Sequence, residues 1–257
     1  MMTSTICHKA PEILKKWLLP LAFWLGVWSL AAAHISQPIL LPSPLLVGEK
    51  ILQLAAAPQF WHTTAASLGR IVLGLGAGGV LGVLLAGLTR SFWWADVLIS
   101  PALRIVRAAP VVSFILLVLL WTRRDLVPAV IAAMMVTPVI WGGVSQGLRE
   151  VDPKLLEMAK LCRFSRGKTI LLVHIPSVWP YLLSALTTSM GLAWKSGVAA
   201  EVICMPKLAI GTQMQYARSA IDTPALFAWT ILVVALSLAL EGFLYALLRR
   251  GGRYAGS

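Results

Sequence analysis

Residues 126–144 read LVPAVIAAMMVTPVIWGGV, nineteen consecutive positions without a charged side chain. At 1.5 Å of rise per residue such a helix is about 28 Å long, close to the hydrocarbon thickness of a bilayer. A surface helix of a water-soluble domain keeps a polar face, and this stretch has none. Comparable apolar runs occupy residues 17–33, 67–88, 178–200 and 225–248, and a sixth lies broken within 91–121. The expected fold class is therefore all-α and integral to the membrane, with about six transmembrane helices.

Composition agrees, because 58% of the 257 residues are hydrophobic and only 12% charged. The net charge of +12 invites a nucleic-acid reading. The aromatic residues, however, lie in the apolar runs and not among the basic clusters, so nucleic-acid binding is not expected. Positive charge in the inner loops explains the balance better: 13 of the 22 Lys and Arg fall in segments that six spans with both ends inside would leave in the cytoplasm, and six fall outside. Residues 1–16 are polar, with Lys9, Lys15 and Lys16, and Ala31-Ala32-Ala33 could serve as a signal-peptide cleavage site. The seventeen-residue core with Trp17, Trp24 and Trp28 favours a retained first span.

Several chemical motifs fail on context. Gly143-Val144-Ser145-Gln146-Gly147 matches the G-x-S-x-G elbow of hydrolases, but it closes an apolar helix where the elbow needs a strand before it. Arg166-Gly167-Lys168-Thr169 ends like a phosphate-binding loop, yet Cys162 stands where the first glycine belongs. Cys7, Cys162 and Cys204 have no metal-ligand spacing, and His8, His34, His62 and His174 are scattered. No catalytic residue, metal or cofactor is expected in this chain.

The longest polar interruption of the C-terminal half is 149–176, which carries six of the 22 basic residues between 149 and 168. Asp152-Pro153 is a helix start, an N-cap acceptor followed by the position where proline's missing N–H costs nothing. The helix after it has Leu155, Met158, Ala159 and Cys162 on one face and Lys154, Glu157 and Lys160 on the other. It is too charged to span and is expected in the cytoplasm, with a second helical turn from Ser165 and a new span opened by Pro176.

The spacing in this loop resembles the cytoplasmic signature of ABC importer permeases: E-A-A, three residues, G, nine residues, I, one residue, L-P. The matching positions are Glu157-Met158-Ala159, Arg163 at the glycine, then Val173, Ile175 and Pro176. Arg163 departs at a turn where φ > 0 is often needed. Gly147 to Asp152 resembles the same family's lead into the coupling loop, and other stretches resemble its nitrate, sulfonate, taurine and thiamine-precursor branch: Leu41-Pro42-Ser43-Pro44, Leu103 through Pro110, and Ala193-Trp194-Lys195 through Glu201. Ser113, Leu116 and Thr122-Arg123 depart from that branch, and Ile210-Gly211 stands where glycine-leucine-glycine is commoner.

The resemblance covers residues 40–250 and implies a type I ABC importer permease fold with a cytoplasmic coupling helix. Residues 1–40 then form the N-terminus and first span, 41–250 the permease core with its coupling loop at 149–176, and 251–257 a cytoplasmic tail. It implies that Glu157, Met158, Ala159, Lys160, Arg163, Ser165 and Arg166 meet a separate ATP-binding subunit dimer, which would hold ATP and Mg. A second permease copy and an extracytoplasmic substrate-binding protein are the other implied partners, and the bacterial inner membrane the implied location.

Gly74, Gly78 and Gly82 form a small-residue ridge for close helix packing. Candidates for the substrate pathway are Arg107, Ser113, Trp194, Lys195 and Glu201. Arg104 and Arg107, flanked by Pro101 and Pro110 where the span should break, either attract an anion or snorkel and pair with Asp96. Lys195 either meets substrate or reaches the headgroups; six positions from Glu201, it is poorly placed to pair with it. Glu241 is expected to reach toward Arg249, Arg250 and Arg253. Basic residues near the pathway point to a small organic or inorganic anion, while the branch also carries heterocycles. The alternative is an ion-coupled secondary transporter, which needs acids at the membrane midplane; a membrane-embedded hydrolase would need a convergent polar site.

Overall fold

The computed structural model describes residues 10–251 and is built of helices throughout. Cys7, His8, Lys9 and Arg253 lie outside the described residues, as do the side chains of Lys15, Lys16, Trp17, Arg249 and Arg250. The helices are α1 (Ala10–Ile35), α2 (Pro44–Ala56), α3 (Pro58–Ser91), α4 (Trp93–Ala108), α5 (Val111–Trp121), α6 (Val127–Arg149), α7 (Pro153–Leu161), α8 (Arg166–Thr169), α9 (Ile175–Cys204), α10 (Ile210–Ser219) and α11 (Thr223–Gly251). A π-helical turn, Ile170–His174, joins α8 to α9. Five helical segments are long and apolar enough to cross a membrane, and six if the bent pair α4–α5 counts as one span.

The chain divides into two compact units. The first comprises Met1–Phe60 and Gln213–Ile231. Here α1 carries apolar side chains outward, with Leu19 and Leu30 both 74% exposed, as a lipid-facing helix does. Polar ties fasten the loop after it. Trp28 donates its indole N–H to the Pro42 carbonyl at 3.0 Å and stacks on Phe227, while Thr223 donates to the Ile39 carbonyl at 2.6 Å. Ser43 caps α2, accepting from the Leu46 N–H, with Pro44 in the first turn where no donor is lost. Lys50 of α2 bonds the Asp222 carboxylate at 2.7 Å.

The second unit comprises Trp61–Thr212 and Leu232–Ser257. Its centre is α6 against α9, with α5 completing a core of Ile115, Val118, Val127, Ile131, Met135, Ala200 and Cys204. Close packing in an apolar solvent rests on small residues that let backbones approach. A Cβ at Gly78 would stand 2.6 Å from the Ala133 carbonyl, and one at Gly82 would stand 2.7 Å from the Ile140 Cβ; Gly74 faces Ala129 and Ala132. Gly143 likewise admits Ala185, and Gly147 admits Tyr181, so the G-x-S-x-G glycines serve the α6–α9 seam. Ser145 lies inside α6 with its hydroxyl buried and unpartnered, and no strand precedes it among the described residues.

Three expectations about boundaries are corrected. Pro101 does not break the chain: α4 passes through it, and the single break falls at Ala109–Pro110, where the pair bends by 110°. Ala109 is extended at ψ 147°, as the residue before a proline prefers. The second span starts at Pro58 and not near residue 67. Pro176 stands in the first turn of α9, as expected, but the helical backbone does not begin there: it is continuous from Arg166 to Cys204, 39 residues.

Candidate functional site

The segment between α6 and α9 is shaped by its caps. Asp152 accepts the Lys154 N–H at 2.8 Å, starting α7. At its end the Phe164 N–H reaches the Ala159 carbonyl at 2.9 Å and the Arg163 N–H reaches that of Lys160 at 3.0 Å, the paired bonds of a Schellman ending. That ending demands a left-handed residue, and Arg163 supplies it at φ 51°. Ser165 then caps α8 through the Lys168 N–H. Ala159, with Leu156 and Phe164 beside it, turns inward onto Val151 and Val173. Glu157, Lys160, Arg163, Ser165 and Arg166 are exposed, and so, against the amphipathic reading, are Leu155, Met158 and Cys162. Met158 is 55% and Leu161 85% exposed, so the tip of α7 presents apolar surface.

A cavity of about 710 Å³ opens between α4, α5, α6, α9 and α11. Arg107 enters it from the last turn of α4, just before the break at Pro110. Lys195, Gly191, Thr188 and Thr187 line it from α9, and Met135, Pro138 and Val139 from α6. Glu241 completes the set from α11, its carboxylate so close to Gly191 that a Cβ there would lie 2.7 Å from Oε1. Arg107 and Lys195 are thus brought together. Glu241 lines this cavity; the expected reach toward Arg249, Arg250 and Arg253 falls on side chains outside the described residues. Among the described residues no ion pair neutralises any of the three.

The other pathway candidates lie elsewhere. Ser113 is exposed on α5 and does not line the cavity. Trp194 is buried, donating its indole N–H to the Val233 carbonyl at 3.0 Å. Glu201 is fully buried and saturated: one oxygen accepts from Arg70 at 2.9 and 3.3 Å, the other from the Ser67 hydroxyl at 2.9 Å and the Gly211 N–H at 3.2 Å. Ser67 in turn accepts the Ile210 N–H at 2.9 Å, and Arg70 also reaches the Leu208 carbonyl. Gly211 is obligatory there, since a Cβ would fall 2.5 Å from the Glu201 Cβ. Asp96 accepts from Ser100 at 2.5 Å and pairs with neither Arg104 nor Arg107. No group of three or more metal-ligating side chains occurs among the described residues.

Residues 78–252, about two thirds of the chain, match the family described as the binding-protein-dependent transport system inner membrane component. The chain is 27% identical over 236 residues to the taurine transport system permease protein TauC of Escherichia coli (strain K12), covering 87% of this chain and 83% of that one. It is 26% identical over 226 residues to the bicarbonate transport system permease protein CmpB of Synechococcus elongatus, covering 78% and 80%. In three dimensions it is similar to a bacterial ABC transporter involved in import of the acidic polysaccharide alginate, with a TM-score of 0.65 at 17% identity over 94% of this chain and 96% of that one.

Proposed function

The chain belongs to the binding-protein-dependent transport system inner membrane component family and is an ABC importer permease subunit, not itself an enzyme, and we propose that its cavity passes a small anion, driven by a separate ATPase docked on α7. The observation that carries the substrate reading is the meeting of Arg107 and Lys195 in one cavity. Both side chains are exposed on the cavity wall, where two cations raise the local concentration of an anion and leave their donors free to meet it. The relatives carry taurine, whose sulfonate is anionic, and bicarbonate, and an anionic group of that kind fits the two cations here.

Coupling is supported by the α7 tip, whose exposed Met158 and Leu161 are the apolar anchors that a protein partner buries. Glu157, Lys160, Arg163 and Arg166 surround them with charge for a polar rim. On this reading α7 and α8 lie in the cytoplasm, and with them both termini, in a bacterial inner membrane. An external binding protein delivers the solute, and a second permease copy completes the pathway. ATP and Mg belong to the ATPase; their binding there supplies the differential affinity that moves the permease between two states.

Glu241 against the middle of α9 is the one observation favouring an ion-coupled transporter, which needs such an acid. The test is reconstitution. Uptake should require a co-purifying ATPase and its hydrolysis of ATP; uptake by this chain alone in liposomes under an ion gradient would overturn the reading.

A further inference from the structure

The cavity is not uniformly basic. Along the face of α9 that lines it, Thr187 and Thr188 come first, Gly191 a turn later and Lys195 a turn beyond that. Both threonine hydroxyls spend their protons on the Ser184 carbonyl, Thr187 at 2.7 Å and Thr188 at 3.1 Å. What each hydroxyl has left to offer is lone pairs. The Glu241 carboxylate lies over Gly191 between these acceptors and Lys195. Along α9 the lining therefore runs from hydrogen-bond acceptors and a negative charge to Lys195, which donates and is positive, and Arg107 adds a second cation to the cavity wall. Four residues of helix separate Gly191 from Lys195, about 6 Å of rise.

We propose that Glu241 is a specificity-determining residue that, with Thr187 and Thr188, selects solutes carrying an ammonium group a few bonds from their anionic group. This rests on the anion reading above and narrows it to a zwitterion. An ammonium has three donors and one positive charge, and the carboxylate with two hydroxyl oxygens satisfies both. A simple anion leaves the carboxylate unpaired and repelled, so discrimination arises from a penalty as well as a contact. Gly191 is part of the device, because a Cβ there would stand 2.7 Å from Glu241 Oε1 and oblige the carboxylate to shift from its present place.

A matched pair of probes tests this: 2-aminoethanesulfonate and 2-hydroxyethanesulfonate, which differ only by ammonium against hydroxyl. Their dissociation constants for the purified permease–ATPase complex in lipid nanodiscs, without binding protein, are measured by ligand-observed NMR. The wild-type complex should prefer the aminosulfonate. Glu241→Gln should lower the ratio of the two affinities about tenfold, the usual worth of one charge-assisted bond, while Glu241→Asp retains part of it. Gly191→Ala should lower the ratio as well, and serves where Glu241→Gln does not fold. A wild-type preference absent, or unchanged by the substitutions, with both sulfonates still bound, overturns the inference alone. Binding of neither sulfonate overturns the anion reading and this inference with it.

Discussion

Arg70 Nη2 lies 2.9 Å from Glu201 Oε1, and the carboxylate it meets is wholly removed from solvent. The pair joins α3 to α9, and through Ser67 and Gly211 it also holds the start of α10. Removing one member of a buried pair strands the other. Glu201→Ala should therefore cost about 3–5 kcal/mol, and Glu201→Gln less because it keeps an acceptor oxygen. Melting in detergent measures the difference, and an unaltered transition for Glu201→Ala would deny the carboxylate a structural role.

The two kinds of glycine on α3 should respond oppositely to enlargement. Gly78 is filled by Ala133 and Val136, whereas a Cβ at Gly76 meets nothing within 4 Å. Gly78→Leu should lose about 1–3 kcal/mol or fail to fold, as overpacking does, while Gly76→Leu leaves the fold of the single chain intact. Folded yield by size-exclusion chromatography reads both, and equal tolerance would remove the close approach of α3 to α6.

Arg163 sits at φ 51°, where a side chain is strained and glycine is not. Arg163→Gly should tighten the turn by about 1 kcal/mol. Slower amide exchange at Phe164, whose N–H closes the Schellman ending, is the expected sign; faster exchange would show that the arginine side chain stabilises the turn by contacts of its own.

Asp222 lies outside the spans, and the hydrogen bond from Lys50 holds its carboxyl below the ordinary value, with burial opposing and the Ala225 N–H and the Lys50 charge assisting. A depressed folded-state pKa gives stability that is fully present above the unfolded value, about 3.9, and is lost as pH falls through the lower folded one. The tie between α2 and the start of α11 should thus hold at neutral pH and loosen below about pH 4. Hydrogen exchange in α2 followed downward in pH checks it, and Lys50→Met should abolish the dependence.

Glu157→Lys, with Leu161→Ser beside it, tests the docking surface. Both positions are exposed, so each variant should insert and melt normally while solute-stimulated ATP hydrolysis falls several-fold. Full stimulation in both would remove α7 from the coupling role.

Features written in neighbouring residues are legible in the amino-acid sequence itself. Asp152-Pro153 and Ser165 are starts because caps act within three residues, and both cap helices here. The misfit of Arg163 at a glycine position likewise surfaces as a left-handed residue. Prolines are harder: Pro101 and Pro110 look alike in sequence, yet one rides inside α4 and the other marks a 110° bend, a difference decided by packing beyond the local pattern. Local reading misplaces the acids for the same reason. Glu201 finds its partner 131 positions away, and Glu241 faces a helix whose open glycine gives no local signal.

The backbone that leaves Ser165 as a helix does not stop until Cys204. At 39 residues it is a strut about 58 Å long, with Arg166 at one tip, Lys195 beyond its midpoint and Glu201 near the other. A strut cannot absorb a sideways shove at one tip by flexing in the middle; it pivots, and every group along it moves in proportion to its distance from the fulcrum. Two places along it can bleed off such motion, the wide turn at Ile170–His174 and the interior Pro180, which removes a backbone hydrogen bond. Their stiffness sets how much of any displacement at Arg166 arrives at Lys195.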